Sequence, residues 1–294
     1  MPQTPMNDVL TRISDLFGSW HAGTTLDEMR NGFAQLVSGG KRPAMIRPVD
    51  ASGVQGAWIG DETAERVVLY CHGGGYQMGS ILSHGDLMER LAVESGAKVF
   101  GFDYRLAPEH RYPAALEDAV TVYRWLLAKG ISPGKLAIAG DSAGAGLALA
   151  LMLKLRELGL PQVAAAVFLS PWLDLQARSE TYQANAALDP LTQRDKVLRM
   201  ARTYLGKQGD PTDPFASPIE ADLSGLPPML VHVGGSETVL GDSELLRDRA
   251  AEVGTNVNVK VWPGMIHHFQ VFPELPEARQ SLREIGAYLK DTLS

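Results

Sequence analysis

A serine between two glycines is the pattern in this sequence that most clearly indicates catalysis. The pentapeptide Gly140-Asp141-Ser142-Ala143-Gly144 follows an apolar run, Leu136–Ala139, and precedes a helix-forming run, Ala145–Leu158. In a G-x-S-x-G turn between a strand and a helix, the serine hydroxyl is exposed at the end of the sheet, and the sharp turn requires small flanking residues. We therefore predict that Ser142 is a nucleophile, in preference to an incidental serine in a glycine-rich turn.

A serine hydroxyl is a weak nucleophile until a neighbouring base removes its proton. Two of the seven histidines, His267 and His268, lie near the C-terminus, on the loop after the predicted strand Val257–Val261. The sequence predicts that one of them is the base and that the other is a polar neighbour.

An acid must hold the histidine in the correct tautomer and stabilise its protonated form. In this chain order the acid should follow the predicted strand Met229–Val233, and the loop there contains two carboxylates, Glu237 and Asp242. Glu237 comes sooner after the strand and is favoured. Asp242 remains the alternative acid, although it could equally cap the helix that follows.

A glycine-rich segment directly after another predicted strand, Arg66–Tyr70, offers backbone donors. Three consecutive glycines, Gly73 to Gly75, leave their N–H groups unobstructed, as an oxyanion hole requires. No lysine follows them as it would in a phosphate-binding loop. We expect His72 to organise this loop and Cys71 to be a small buried residue at the end of the strand.

Short apolar runs alternate with helical stretches from about residue 43 to the C-terminus. The predicted strands are Arg66–Tyr70, Lys98–Phe102, Leu136–Ala139, Ala165–Leu169, Met229–Val233 and Val257–Val261, and the predicted helices are His84–Ser95, Ala114–Lys129, Ala145–Leu158 and Ser243–Val253. This alternation predicts an α/β fold with a mostly parallel central sheet and helices on both faces.

Two other regions have helical periodicity. One holds two apolar stripes within residues 6–36, ended by Ser38-Gly39-Gly40; the other is a stripe from Val197 to Leu205, preceded by Thr192-Gln193-Arg194-Asp195, which resembles a capping box. We predict that residues 1–42 form the N-terminal part of a helical cap, and that residues 43–294 form the catalytic domain with a cap insertion at about 180–215. Periodicity alone is equally consistent with helices that pack on the core.

The composition excludes several classes of protein. With 45% hydrophobic and 21% charged residues, the 294-residue chain has a globular composition. A net charge of −7 leaves no basic surface for nucleic acid, and a single cysteine rules out internal disulfides and tetra-cysteine zinc sites. Apolar runs such as Leu147–Leu153 are far shorter than the roughly 18 residues of a membrane span, and the N-terminus does not resemble a signal peptide, so a cytoplasmic location is expected.

Four motifs in this order resemble the hormone-sensitive-lipase-like family of bacterial esterases, also called family IV. They are His72-Gly73-Gly74-Gly75, Asp103-Tyr104-Arg105-Leu106-Ala107-Pro108-Glu109, Gly140–Gly144 and Pro263-Gly264-Met265-Ile266-His267. The resemblance implies an α/β-hydrolase fold with a cap, and serine hydrolysis of short- to medium-chain acyl esters without metal or organic cofactor. It makes Ser142 the nucleophile and His267 the base, and it forms the oxyanion hole from the N–H groups of Gly74, Gly75 and Ala143. Asp141 places the chain in the Asp-containing branch, and His268 falls outside the motif.

The acid departs from the family pattern. Most members have Asp-Pro-Leu there, whereas this chain has Glu237-Thr238-Val239, and a minority of relatives use glutamate. The implied triad is Ser142-Glu237-His267.

The sequence leaves three alternatives to an esterase, and it gives further expectations for the oligomeric state and the pocket. A lactone hydrolase would use the same triad, a non-catalytic receptor would have lost the histidine, and a peptidase usually needs further domains. Pairing of Val257–Val261 across a two-fold axis would give a homodimer. The cap residues suggested for the pocket are Trp20, Phe33, Tyr204 and Leu205.

Overall fold

The described residues contain eight strands in one sheet, in the order β1-β2-β4-β3-β5-β6-β7-β8. The strands are β1 (Ile46–Ala51), β2 (Val54–Ile59), β3 (Val67–Cys71), β4 (Lys98–Phe102), β5 (Leu136–Asp141), β6 (Ala165–Leu169), β7 (Met229–Gly234) and β8 (Val257–Trp262). Strand β2 pairs antiparallel with β1 and β4, and the other neighbours pair in parallel. The carboxyl ends of β3 and of β5 to β8 therefore meet at one edge of the sheet.

This computed structural model describes residues 4–41, 43 and 46–293. Residues 1–3 and 42, which bound the predicted N-terminal part of the cap, lie outside the described residues, as does residue 294 at the end of the predicted catalytic domain. In the described part of the chain, no helix is long and apolar enough to cross a membrane.

Helices cover both faces of the sheet. They are α1 (Pro5–Ser19), α2 (Leu26–Ser38), α3 (Gly85–Ser95), α4 (Ala114–Ala128), α5 (Ala143–Glu157), α6 (Thr181–Ala184), α7 (Arg194–Leu205), α8 (Leu240–Glu252) and α9 (Pro276–Thr292). Because side chains alternate along a strand, Leu69 of β3 packs with α4 and α5, whereas Tyr70 packs with α3 and α9. The predicted α/β class with a mostly parallel sheet is confirmed.

The six predicted strands are present, two with the predicted bounds and four with ends that differ by one or two residues. The apolar pattern of the sequence does not predict the β1–β2 hairpin, because β1 contains Pro48 and Asp50, is mostly half-exposed and has no apolar run. Helix α5 begins two residues earlier than predicted, because Ser142 itself is its N-cap residue.

The capping box predicted at Thr192 is wrong. Helix α7 has Gln193 as its N-cap residue, with no side-chain capping bond. The Thr192 hydroxyl instead donates to the buried carboxylate of Asp189 and accepts a hydrogen bond from the Thr238 hydroxyl at 2.8 Å. These two bonds hold the hydroxyl at Asp189 and Thr238, so it does not accept the helix N–H that the side chain of an N-cap residue would accept.

Candidate active site

Ser142 lies in the turn between β5 and α5 with φ 51° and ψ −122°, a backbone conformation that L-residues rarely adopt. Its N–H donates to the Leu169 carbonyl at 2.9 Å. A Cβ atom on Gly144 would lie 2.1 Å from the Cys71 carbonyl oxygen, and one on Gly140 would lie 2.5 Å from the Gly144 carbonyl oxygen. Only glycine therefore fits on either side of this turn, which holds the serine hydroxyl above the sheet edge.

The histidine that contacts Ser142 is His267, on the loop after β8. Its Nε2 atom lies 2.9 Å from Ser142 Oγ, and its Nδ1 atom lies 2.9 Å from Glu237 Oε2. Burial opposes protonation of His267, but the hydrogen bond and charge of Glu237 outweigh burial and raise its pKa above the ordinary value. With Nδ1–H directed at the carboxylate, the Nε2 lone pair is free to accept the serine proton.

Glu237 lies just past the end of β7 and is fully buried. Its Oε1 atom accepts hydrogen bonds from the Ser170 hydroxyl at 2.6 Å and from the Gly234 N–H. Burial raises the pKa of Glu237, and the hydrogen bonds from His267 and Ser170 act in the opposite direction. The carboxylate is thus held by three donors, one of which is the His267 ring.

Asp242, the alternative acid, is committed elsewhere. Its Oδ2 atom accepts the N–H groups of Leu173 at 2.8 Å and Asp174 at 3.0 Å, on the loop that follows β6. Burial raises its pKa to about 7. Nor does Asp242 cap α8, because the N-cap residue of that helix is Val239 and it makes no side-chain capping bond.

The glycine-rich loop after β3 faces the same space as Ser142. Gly74 and Gly75 have φ values of +119° and +64° and line the pocket, and a Cβ atom on Gly74 would lie 2.3 Å from the Met78 carbonyl oxygen. Ala143 is the first residue of α5, so its N–H lies at the positive end of the helix dipole. The structure therefore brings the three residues of the predicted oxyanion hole around Ser142.

Asp141 is the centre of a buried cluster that the sequence analysis did not find. Its Oδ1 atom accepts hydrogen bonds from the Tyr70 hydroxyl at 2.7 Å and the Gly73 N–H at 2.9 Å. Its Oδ2 atom lies 2.8 Å from His268 Nε2 and 3.4 Å from His84 Nε2. His268 therefore contacts the carboxylate of the residue before the nucleophile and is not merely a polar neighbour of the base.

This cluster is also the place where the described residues could hold a metal ion. His84, Asp141 and His268 each offer one ligand atom, and these atoms lie within 4.8 Å of one another. Burial lowers the pKa of His268, and the charge of Asp141, whose Oδ2 atom lies 2.8 Å from His268 Nε2, acts in the opposite direction.

His72 lies beneath the glycine-rich loop and contacts the loop itself. Its Nδ1 atom lies 2.9 Å from the Gly73 carbonyl oxygen, and its ring stacks on Tyr104 with centroids 4.2 Å apart. Burial lowers its pKa to about 3, so the ring is neutral. These contacts agree with the predicted role of His72 as an organiser of the loop.

A mostly apolar pocket opens above Ser142 and His267. The empty space between its walls, solvent at the mouth included, is about 540 Å³. Its apolar walls come from α1, α2 and α7, from the stretch before α7 and from the loops after β3 and β6: Phe17, Phe33, Met78, Trp172, Leu191, Val197 and Met200.

Of the four residues suggested for the pocket, only Phe33 lines it, and the prediction for the other three is wrong. Tyr204 stacks on Tyr76 in the core at 3.8 Å, Trp20 packs edge-on against Phe17, and Leu205 borders a separate surface pocket. The helical stripe that suggested them does not distinguish the side turned to the pocket from the side turned to the core.

Known proteins with similar sequences and structures are consistent with this site. A family described by its alpha/beta hydrolase fold matches residues 68–271. An acetyl-hydrolase of Streptomyces hygroscopicus is 44% identical over 226 residues, which cover 76% of this chain and 75% of that protein. An esterase of Acinetobacter venetianus is 39% identical over 245 residues, covering 83% and 81%. The crystal structure of an esterase from the bacterial hormone-sensitive lipase family has a TM-score of 0.95, 39% identity and 100% coverage of both chains.

The sheet, its helices and these matches define an α/β-hydrolase fold. Within that fold, the chain belongs to the bacterial hormone-sensitive-lipase family of esterases. It is a carboxylesterase, an enzyme that hydrolyses carboxylic esters.

Proposed function

We propose that this esterase hydrolyses short- to medium-chain acyl esters with Ser142 as nucleophile, His267 as general base and Glu237 as the acid of the triad. The observation that carries the assignment is the continuous line of contacts from Ser142 Oγ to His267 Nε2 and from His267 Nδ1 to Glu237 Oε2, each 2.9 Å long. Both distances are within hydrogen-bonding range, so a proton can pass from serine to histidine while the carboxylate stabilises the imidazolium.

The reaction proceeds in two halves. His267 removes the Ser142 proton as Oγ attacks the ester carbonyl, and the imidazolium then protonates the departing alkoxide, which leaves as the alcohol. In the second half, His267 deprotonates a water molecule that attacks the acyl-enzyme, and Ser142 is released with its proton restored. Because Glu237 is buried and its Oε1 atom is held by two other donors, the carboxylate stays in place as the charge on His267 appears and disappears.

The negative charge on the carbonyl oxygen is stabilised by the N–H groups of Gly74, Gly75 and Ala143. Support comes from the position of these residues at the pocket floor and at the N-terminus of α5. Donors fixed by the backbone need no reorganisation as the charge develops, and removal of one such donor typically costs about 10²–10³ in turnover.

The acyl chain occupies the apolar pocket beneath a cap formed by residues 1–42 and about 180–215. This division of the chain is supported by Phe17 and Phe33 from α1 and α2 and by Val197 and Met200 from α7, which form pocket walls opposite Ser142. Lactones, being cyclic esters, would react at the same site by the same steps.

We also propose a homodimer in which β8 pairs with its copy. Support comes from the position of β8 at the end of the sheet and from the exposure of Val261 at that edge. Sedimentation equilibrium of the wild type beside Val261→Lys tests this, because a lysine on an edge strand opposes pairing.

Small esters are the substrates, and a cytoplasmic location stays a prediction of the sequence alone.

The test of the catalytic assignment is hydrolysis of p-nitrophenyl esters from acetate to dodecanoate, with γ- and δ-lactones measured in parallel. The wild type is compared with Ser142→Ala and with Ser132→Ala, an exposed serine near the opposite end of β5. We expect activity that falls with longer acyl chains, is lost in Ser142→Ala and is unchanged in Ser132→Ala. Activity that persists in Ser142→Ala would refute the assignment, and turnover of lactones alone would replace linear esters as the substrate class.

A further inference from the structure

The loop that carries Glu237 is hydrogen-bonded to the segment between β6 and α7. Asn185 Nδ2 donates to the Glu237 carbonyl at 2.8 Å, and Thr181 Oγ1 donates to the Thr238 carbonyl at 2.7 Å. In the opposite direction, the Thr238 N–H donates to the Asp189 carboxylate at 3.0 Å. We call this segment between β6 and α7 the inserted segment. It is hydrogen-bonded to the main chain on the C-terminal side of Glu237, so the sheet alone does not hold that loop.

Asp189 makes the most extensive of these contacts. It is 1% exposed and lies between α6 and α7, in a stretch without regular secondary structure. Its Oδ1 atom accepts the N–H groups of Leu191 at 3.0 Å and Thr192 at 3.2 Å, while its Oδ2 atom accepts the Thr238 N–H and the Thr192 hydroxyl. Both oxygens therefore have two donors, those of Oδ1 from the stretch that carries Asp189 and those of Oδ2 from two separate loops.

Those two loops have different tasks in the site. Leu191 and Thr192 line the pocket, whereas Thr238 directly follows the triad acid. One buried carboxylate consequently fixes a wall of the substrate pocket and the loop of Glu237. A shift of either loop would have to break hydrogen bonds to a buried charged group, which are among the stronger ones in proteins.

Asp189 also contributes to the electrostatic surroundings of His267. Burial lowers the pKa of His267, and three carboxylates together raise it above the ordinary value. They are Glu237 after β7, Asp189 in the inserted segment and Asp141 in the strand-to-helix turn before Ser142. His268 is the neighbouring titratable group on the same loop, and burial together with the charges of His84 and His267 lowers its pKa against the opposing effect of Asp141. Loss of the Asp189 charge should therefore make His267 easier to deprotonate.

We propose that Asp189 is a positioning residue for the triad, which joins the pocket wall at Leu191 and Thr192 to the Glu237 loop through a single buried carboxylate. This inference rests on the proposed assignment of Ser142, His267 and Glu237. It gives the inserted segment a part in catalysis beyond forming the pocket, because the acid is oriented through it.

The test compares Asp189→Asn with Asp195→Asn, which removes the same charge from an exposed position on α7. In Asp189→Asn the amide NH2 faces backbone N–H donors in either orientation, those of Leu191 and Thr192 or that of Thr238. We expect kcat for p-nitrophenyl acetate to fall by about ten- to hundredfold, the scale of losing a hydrogen bond to a charged group. The acid limb of the kcat/KM profile should move to lower pH, because a charge that raises the pKa of His267 is removed. Asp195→Asn should stay within about twofold of the wild type, with its acid limb unmoved.

Thr192→Val supplies a second measurement that keeps the Asp189 charge. It removes the hydroxyl shared by Asp189 and Thr238, and we expect kcat to fall severalfold while the acid limb keeps its position. If Asp189→Asn matches Asp195→Asn, the proposal is refuted. Should Asp189→Asn fail to fold, as near-ultraviolet circular dichroism would show, wild-type kcat in Thr192→Val would refute it instead.

Ser142→Ala separates failure of this inference from failure of the proposed function. An inactive Ser142→Ala together with an unaffected Asp189→Asn leaves the triad intact and removes only the role of Asp189. An active Ser142→Ala removes the triad on which the inference rests.

Discussion

Shortening the triad acid by one methylene should cost activity in proportion to its retreat from His267. In Glu237→Asp the carboxylate moves back by about 1.5 Å, one carbon–carbon bond. The contact to His267 Nδ1, now 2.9 Å, becomes about 4.4 Å if the backbone stays in place. The hydrogen bond is then lost, although the charge remains nearby.

The size of the effect follows from the charge interaction in the transition state, where His267 is protonated. At an effective dielectric constant of about 20, unit charges attract by about 5.7 kcal/mol at 2.9 Å and by about 3.8 kcal/mol at 4.4 Å. The difference of about 2 kcal/mol corresponds to a fall in kcat of about 30-fold. Glu237→Gln removes the charge entirely, and the same change in the triad of another serine hydrolase costs about 10⁴ in kcat.

The assay is steady-state hydrolysis of p-nitrophenyl butyrate at several pH values by the wild type, Glu237→Asp, Glu237→Gln and Asp242→Asn. Asp242→Asn is the matched control, because it changes the other buried carboxylate near the start of α8. We expect the order wild type and Asp242→Asn, then Glu237→Asp, then Glu237→Gln. If Glu237→Gln kept more than about a tenth of kcat while Asp242→Asn lost it, the assignment of the acid would be wrong.

Three further predictions concern protonation and the pocket. Because Glu237 outweighs burial and raises the pKa of His267, the acid limb of kcat/KM should have its midpoint above the ordinary 6.5; a midpoint below that value would contradict the electrostatic argument. Burial raises the pKa of Asp242 to about 7, so its ionisation removes stability as the pH rises from about 4 to 7. Urea unfolding should therefore show Asp242→Asn gaining relative to the wild type across that range, and a constant difference would count against it. Met200 lines the pocket beside Gly75, so Met200→Ala should raise kcat/KM for the octanoate ester relative to the acetate by about tenfold, whereas Leu198→Ala, on the same helix but outside this pocket, should not.

The parts of the site that could be predicted from the sequence are those with a local cause. The strand-to-helix turn at Ser142 demands glycine on both sides within five residues, and the order of nucleophile, acid and histidine along the chain narrows the search for the other two. The shorter distance from the strand end favours Glu237 over Asp242, and in the structure Glu237 contacts His267 whereas Asp242 accepts backbone N–H groups after β6.

The parts that could not be predicted depend on contacts between distant segments. No local pattern relates Asp141 to His84 and His268. The three residues meet only in the folded chain, where the turn between β5 and α5, the start of α3 and the loop after β8 come together. The misassigned capping box at Thr192 has the same origin. A four-residue pattern shows that a hydroxyl could cap a helix, but it does not show the buried Asp189 that competes for it.

The central claim, that Ser142 is the nucleophile, is tested most directly by stoichiometric labelling with a p-nitrophenyl alkylphosphonate. Serine oxygen attacks phosphorus and expels p-nitrophenolate, which leaves a stable phosphonate ester on the enzyme and one equivalent of product to count. We predict one adduct per chain, mapped by peptide mass spectrometry to Ser142, with hydrolytic activity lost in step with labelling and no adduct in Ser142→Ala. An adduct on another residue that accompanies the loss of activity would contradict the account.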